Sequence, residues 1–105
     1  MPLYMSQFAY TSEAWTALAR NPEDRSAAVR GLAESMGGRL ISFHYSCGEY
    51  DGVIIYEAPD DSNAATTVLA AASARHLKTT TLLTVEDTME VMRRTGEITY
   101  RGPAE

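Results

Sequence analysis

Two residues of this chain can exchange a proton with a substrate if the fold brings them together: His44 and Asp51, which flank Gly48-Glu49. A two-residue turn at Gly48-Glu49, glycine first, places Cys47 opposite Tyr50, Ser46 opposite Asp51 and His44 opposite Val53. His44 and Asp51 then share one sheet face as diagonal neighbours about 7–8 Å apart, a gap that one water or a modest lean closes. In that geometry Asp51 would orient His44 as a general base. A three-residue turn would put the pair on opposite faces. Plainer roles stand beside this one: a strand histidine bonded to Ser42, Ser46 or water, and a turn carboxylate accepting backbone N–H groups. Tyr50 either places its hydroxyl in a pocket or anchors the hairpin against a second subunit.

A second constellation is aromatic. Tyr45 and Tyr56, with Ile41, Phe43, Ile54 and Tyr4 or Phe8, fall on the other strand face. They read as a tyrosine-edged cavity for a small apolar or aromatic ligand, with Trp15 closing one end. The same residues also suit a sheet face buried by helices, with Trp15 as a core or interface anchor. His76 has no cysteine, aspartate or second histidine at ligand spacing, so neither a metal site nor a cofactor is expected. Cys47, the single cysteine, lacks an adjacent base and reads as a small buried thiol. Glu86, Asp87 and Glu90 read as a solvated helix face.

The elements that must position these residues follow from local chemistry. Leu3 to Tyr10, rich in bulky side chains and free of glycine and proline, predicts a first strand. Ser12 to Arg20 predicts a helix. Asn21-Pro22-Glu23-Asp24 suggests a second helix capped by Asn21 and running to about Met36, with Val29, Leu32 and Met36 in one stripe. Gly37-Gly38 supplies its left-handed stop. Arg39 to Cys47 alternates as a strand, with Ile41, Phe43, Tyr45 and Cys47 on one side. Tyr50 to Ala58 returns as the hairpin partner, ended by Pro59. Asp60-Asp61-Ser62 caps an alanine-rich helix to about Ala74. His76 to Val85 predicts a fourth strand. Thr84 with Asp87 then opens a last helix carrying Val85, Met89 and Met92, ended by Gly96. The expected architecture is one α+β domain over residues 1–95, a ferredoxin-like split βαβ with a four-stranded antiparallel sheet and an extra C-terminal helix, followed by an extended tail over 96–105.

Composition narrows the function classes. A net charge of −5, with acids spread along the chain, repels polyanions, so nucleic acid is not an expected partner. No apolar run approaches the roughly 18 residues that span a bilayer, and no export signal is read at the start, so no membrane partner is expected. A lone cysteine suits a reducing compartment, and the cytoplasm is the expected location. A chain of 105 residues buries a modest core, which makes a second copy an expected partner.

The segment Gly48-Glu49-Tyr50-Asp51-Gly52 resembles the signature of the GYD domain family, small bacterial and archaeal proteins named for a Gly-Tyr-Asp-type motif. Supporting stretches are Ala33-Glu34-Ser35-Met36-Gly37-Gly38-Arg39-Leu40, Tyr56-Glu57-Ala58-Pro59-Asp60-Asp61 and Lys78-Thr79-Thr80-Thr81-Leu82, and the likeness covers roughly Leu3 to Arg94. The resemblance implies a ferredoxin-like fold of the dimeric α/β-barrel type, with cavities between helices and sheet or at the subunit interface. It implies no settled activity and carries over no catalytic residue. Similar barrels host cofactor-independent monooxygenases, haem-degrading enzymes and small-molecule sensors, so the fold does not choose among functions. The leading expectation is a homo-oligomeric small-molecule-binding or sensing domain. One alternative is a cofactor-independent oxygenase, isomerase or lyase-like enzyme using His44 and Asp51. The other is an assembly protein without a ligand site.

Overall fold

The computed structural model describes residues 1–59, 74–99 and 101–103. The alanine-rich helix expected from Asp60 lies outside the described residues, apart from Ala74, which opens a strand. The elements run β1 (Leu3–Tyr10), α1 (Ser12–Arg20), α2 (Arg25–Ser35), β2 (Arg39–Tyr45), β3 (Gly52–Glu57), β4 (Ala74–Leu82) and α3 (Val85–Glu97). The sheet order is β2-β3-β1-β4, and every neighbouring pair is antiparallel. With its helices this is an α+β, ferredoxin-like arrangement, as the element pattern predicts.

The strand period explains the core. Tyr4, Ser6, Phe8 and Tyr10 of β1 alternate onto the face shared with Ile54 and Tyr56 of β3. Ala33 and Val29 of α2, and Ala14 and Leu18 of α1, cover that face. The opposite face, with Leu3, Met5, Val53 and Ile55, is only half-buried. One polar chain leads from the core to the surface: the buried Tyr56 hydroxyl meets Ser6 Oγ at 3.0 Å, and Ser6 Oγ meets Oγ1 of the exposed Thr79 at 2.9 Å. A run of hydroxyls that satisfy one another removes the cost of burying each alone.

Helix ends follow side-chain capping. Thr11 accepts from Ala14 N at the start of α1, and Thr84 accepts from Asp87 N at the start of α3. The second helix starts later than predicted. Asn21 closes α1, and the N-cap of α2 is Asp24, whose carboxylate accepts from Ser26 N at 2.9 Å. That bond satisfies an orphan N–H, which Asn21 and Pro22 cannot reach, and the Ser26 side chain and backbone hold the Asp24 carboxyl below its usual range. At the other end, Gly38 N donates to Ala33 O and Gly37 N to Glu34 O, with Gly37 at φ +79°. This is the paired closure that a left-handed glycine makes possible. α3 runs one residue past Gly96.

The hairpin keeps its predicted register at one point and loses it at another. His44 pairs with Val53 as expected, although the ladder stops at Tyr45 and Gly52 and residues 46–51 form a wider loop. Farther along, a bulge between Leu40 and Ser42 shifts the parity. Leu40 turns inward opposite Tyr56 at 9% exposure, and Ile41, predicted to share the face of Phe43 and Tyr45, is 45% exposed. The extra residue lets both Leu40 and Phe43 reach the same core, which strict alternation forbids.

Candidate functional site

The loop after β2 is tied down through Asp51. Its backbone N donates to Phe8 O at 2.8 Å and its carbonyl accepts from Ser46 N at 2.8 Å. Ser46 Oγ donates to Tyr50 O. The carboxylate reaches the helix-covered side, where Oδ2 accepts from Tyr10 N at 2.8 Å and from Trp15 Nε1 at 3.2 Å. One residue thus joins β1, the hairpin loop and α1, through charge-assisted bonds that are stronger than neutral ones.

Around this joint the aromatic rings form a continuous group. Phe8 contacts Phe43 and Tyr10 at centroid distances of 5.7 and 5.0 Å. Trp15 stands edge-on to Tyr10 at 5.2 Å and lies 6.1 Å from Tyr45. The group begins in the core and emerges at Trp15 and Tyr45, which are 42% and 51% exposed. Beside Tyr10 lies a cleft of about 350 Å³. Ala14, Ala17 and Leu18 give it apolar walls, and Asn21, Glu23 and Arg25 give it a polar rim. Arg25 and Glu23 form an ion pair at 3.0 Å.

Tyr10 links the ring group to the cleft. Burial, and then its contact with Tyr45, raises its phenol well above the ordinary tyrosine range, an effect the Arg25 guanidinium partly offsets. Burial also raises Tyr56, offset by its bonds to Ser6 and Thr79. Both phenols are held neutral by the fold, so their contribution is fully present below the unfolded pKa of about 10 and declines as pH rises beyond it. Absorbance titration should therefore show a late pair of phenols, Tyr10 and Tyr56, that ionises only with alkaline unfolding. Tyr10→Phe should remove one member of the late pair. Six tyrosines titrating together near pH 10 would contradict this assignment.

The predicted site residues separate into four places. Trp15, Tyr45 and Asp51 come together. Tyr56 lies at the buried end of the hydroxyl chain and contacts Tyr4 at 5.6 Å. Tyr50 stacks on His76 at 5.5 Å and 18°. His44 is exposed on the face that neither α1 nor α2 covers and, among the described residues, makes no hydrogen bond, while the Asp51 carboxylate is engaged by Tyr10 and Trp15. Cys47 is exposed, not buried as its type suggests, because the loop lifts it off the sheet. Among the described residues no group of three metal-ligating side chains occurs, and no described helix is long and apolar enough to cross a membrane. Tyr10, Leu18 and Arg25 were not singled out by sequence. The spacing of Ala14, Ala17 and Leu18 marks one helix face, but only the tertiary structure sets Arg25 across from it.

The family whose pattern matches is the GYD domain, over residues 4–92. The chain belongs to the GYD domain family. Among curated proteins, this GYD domain is similar to the glutamine synthetase and cystathionine beta-lyase binding protein of Thermus thermophilus. The two are 30% identical over 82 residues, which is 78% of this chain and 86% of the relative. No solved structure matches this GYD domain. The matched span begins at Tyr4 of β1 and reaches Met92, so it includes the described sheet apart from Leu3, the Asp51 joint and most of α3.

Proposed function

We propose that this GYD domain is a homo-oligomeric, cytoplasmic binding or sensing domain that takes a small apolar or aromatic molecule in the cleft beside Tyr10 and acts on protein partners. The observation that carries the reading is the cleft itself: about 350 Å³, walled by Ala14, Ala17 and Leu18, with Tyr10 and Arg25 at its polar end. Apolar walls with a few convergent polar groups are what small-ligand sites require. The exposed Trp15 and Tyr45 edges next to it suit a protein contact, because aromatic anchors dominate interface energies. The similarity to a relative named as a binding protein for two enzymes supports protein partners. Catalysis by His44 and Asp51 is the competing proposal, and it requires the Asp51 carboxylate to leave Tyr10 and Trp15.

Trp15 is the single tryptophan and sits on the Tyr10 ring, so its fluorescence reports on the cleft. Titration with 1-anilinonaphthalene-8-sulfonate, an aromatic anion, should quench Trp15 with one dye per chain. Ala17→Phe fills the cleft and Arg25→Ala removes its cation, and each should weaken binding at least about tenfold, equivalent to 1.4 kcal/mol. Binding that neither substitution changes would refute the cleft as the site.

A further inference from the structure

α3 is amphipathic, and among the described residues nothing of its own chain covers it. No residue of it is buried; Val85 is 77% and Met92 65% exposed. Among the described elements none packs along it. The chain's radius of gyration is 17.7 Å, against about 13 Å for a compact domain of this length, and its longest extent is 61 Å. A helix of this length is marginal in water by itself, so its apolar face needs a partner.

We propose that α3 pairs antiparallel with α3 of a second copy. Val85, Met89, Met92 and Gly96 recur at alternating spacings of four, three and four residues, the seam of a two-stranded helix pair. Antiparallel layers set Val85 against the small Gly96 and Met89 against Met92, so each bulky side chain meets space. On one flank of the seam stand Glu86 and Arg93, one heptad apart. In an antiparallel pair equivalent flank positions face each other, so Glu86 of each copy meets Arg93 of the other, giving two reciprocal opposite-charge pairs. Among the described residues Glu86 has no ion-pair partner, whereas Arg93 bonds Glu90 within its own helix at 2.7 Å. On the other flank Thr88 and Thr95 donate their hydroxyls to Thr84 O and Val91 O, which spends their polarity within the helix. The acidic first half and the basic Arg93-Arg94 then lie opposite their complements, and the helix dipoles oppose. This complementarity is to the same helix, and that is why the occupant is a second copy.

One helix face buries roughly 350 Å² per copy, estimated from helix dimensions, below the about 800 Å² per partner of a stable interface. The pairing is therefore a concentration-dependent one. It rests on the homo-oligomeric part of the reading above and names the contact that part requires.

The test is sedimentation equilibrium of the full chain over a dilution series. Wild type should show reversible self-association. Met89→Glu/Met92→Glu should leave a monomer, with Trp15 emission and the thermal midpoint of the body unchanged. Glu86→Arg and Arg93→Glu should each weaken association several-fold by placing like charges together, and the double exchange should return it to within about threefold of wild type. A monomeric wild type would overturn both the oligomeric reading and the pairing. An oligomer indifferent to Met89→Glu/Met92→Glu would overturn the pairing alone, as would a charge exchange that fails to rescue.

Discussion

Phe8→Ala is expected to destabilise the domain by about 3–5 kcal/mol, the range for removing a buried phenylalanine ring. Phe8 is 4% exposed and holds the aromatic group together, touching Tyr10 on its own strand and Phe43 on β2. Its ring also lies over Gly52, where a Cβ would come to 2.6 Å of Cε1 and closer still to Cζ. Gly52→Ala should therefore cost about 1–3 kcal/mol by overpacking, with no contribution from backbone torsion, since the glycine sits in an extended strand. The two substitutions should be coupled: in the Phe8→Ala background Gly52→Ala should cost little, because the methyl enters the vacated space. Urea unfolding of the two single variants and the double variant measures this directly. Additive costs would mean that Gly52 is required by the loop and not by the ring above it.

Asp51→Ala should cost about 2–4 kcal/mol, as it removes two hydrogen bonds to a charged acceptor and leaves the N–H of the buried Tyr10 without one. Asp51→Asn keeps one carbonyl oxygen and should cost about half as much. The effect extends beyond stability. Trp15 loses the anchor of its indole N–H, so its emission should shift to the red and the wall of the cleft should loosen, weakening dye binding in step. A variant that unfolds more easily but keeps native Trp15 emission and full dye affinity would show that Asp51 supports the hairpin alone. Activity lost in Asp51→Asn and in His44→Ala, with dye binding intact in both, would instead favour the proton-handling pair.

Much of the fold is legible in the chain because it is set by neighbours in sequence. Thr84 with Asp87 marks a helix start, Gly37 a helix stop, and the composition of Leu3–Tyr10 a strand. Each rests on a bond or torsion spanning a few residues. The His44–Val53 register likewise follows from Gly48-Glu49 lying midway between the strands. Asn21 misled because cap residues look alike in sequence, and only the chain's path shows that Asp24 holds the α2 N–H groups.

The candidate site is less legible, and for a common reason. Ile41 turns outward because Leu40 must meet Tyr56 across β3, a contact between residues far apart in the chain. Asp51 faces the helix layer because Tyr10 N and Trp15 Nε1 are both there to receive its charge. Arg25 rims the cleft because the turn between α1 and α2 returns it over Leu18 and Tyr10. Sequence by itself determined the order and kind of the described elements, the family and the amphipathic stripe of α3, since these depend on periodicity and on short-range bonding. Tertiary structure alone decided which aromatic rings gather, where the Asp51 carboxylate points and that no described element covers the α3 stripe, because burial and charge pairing act through space and not along the chain.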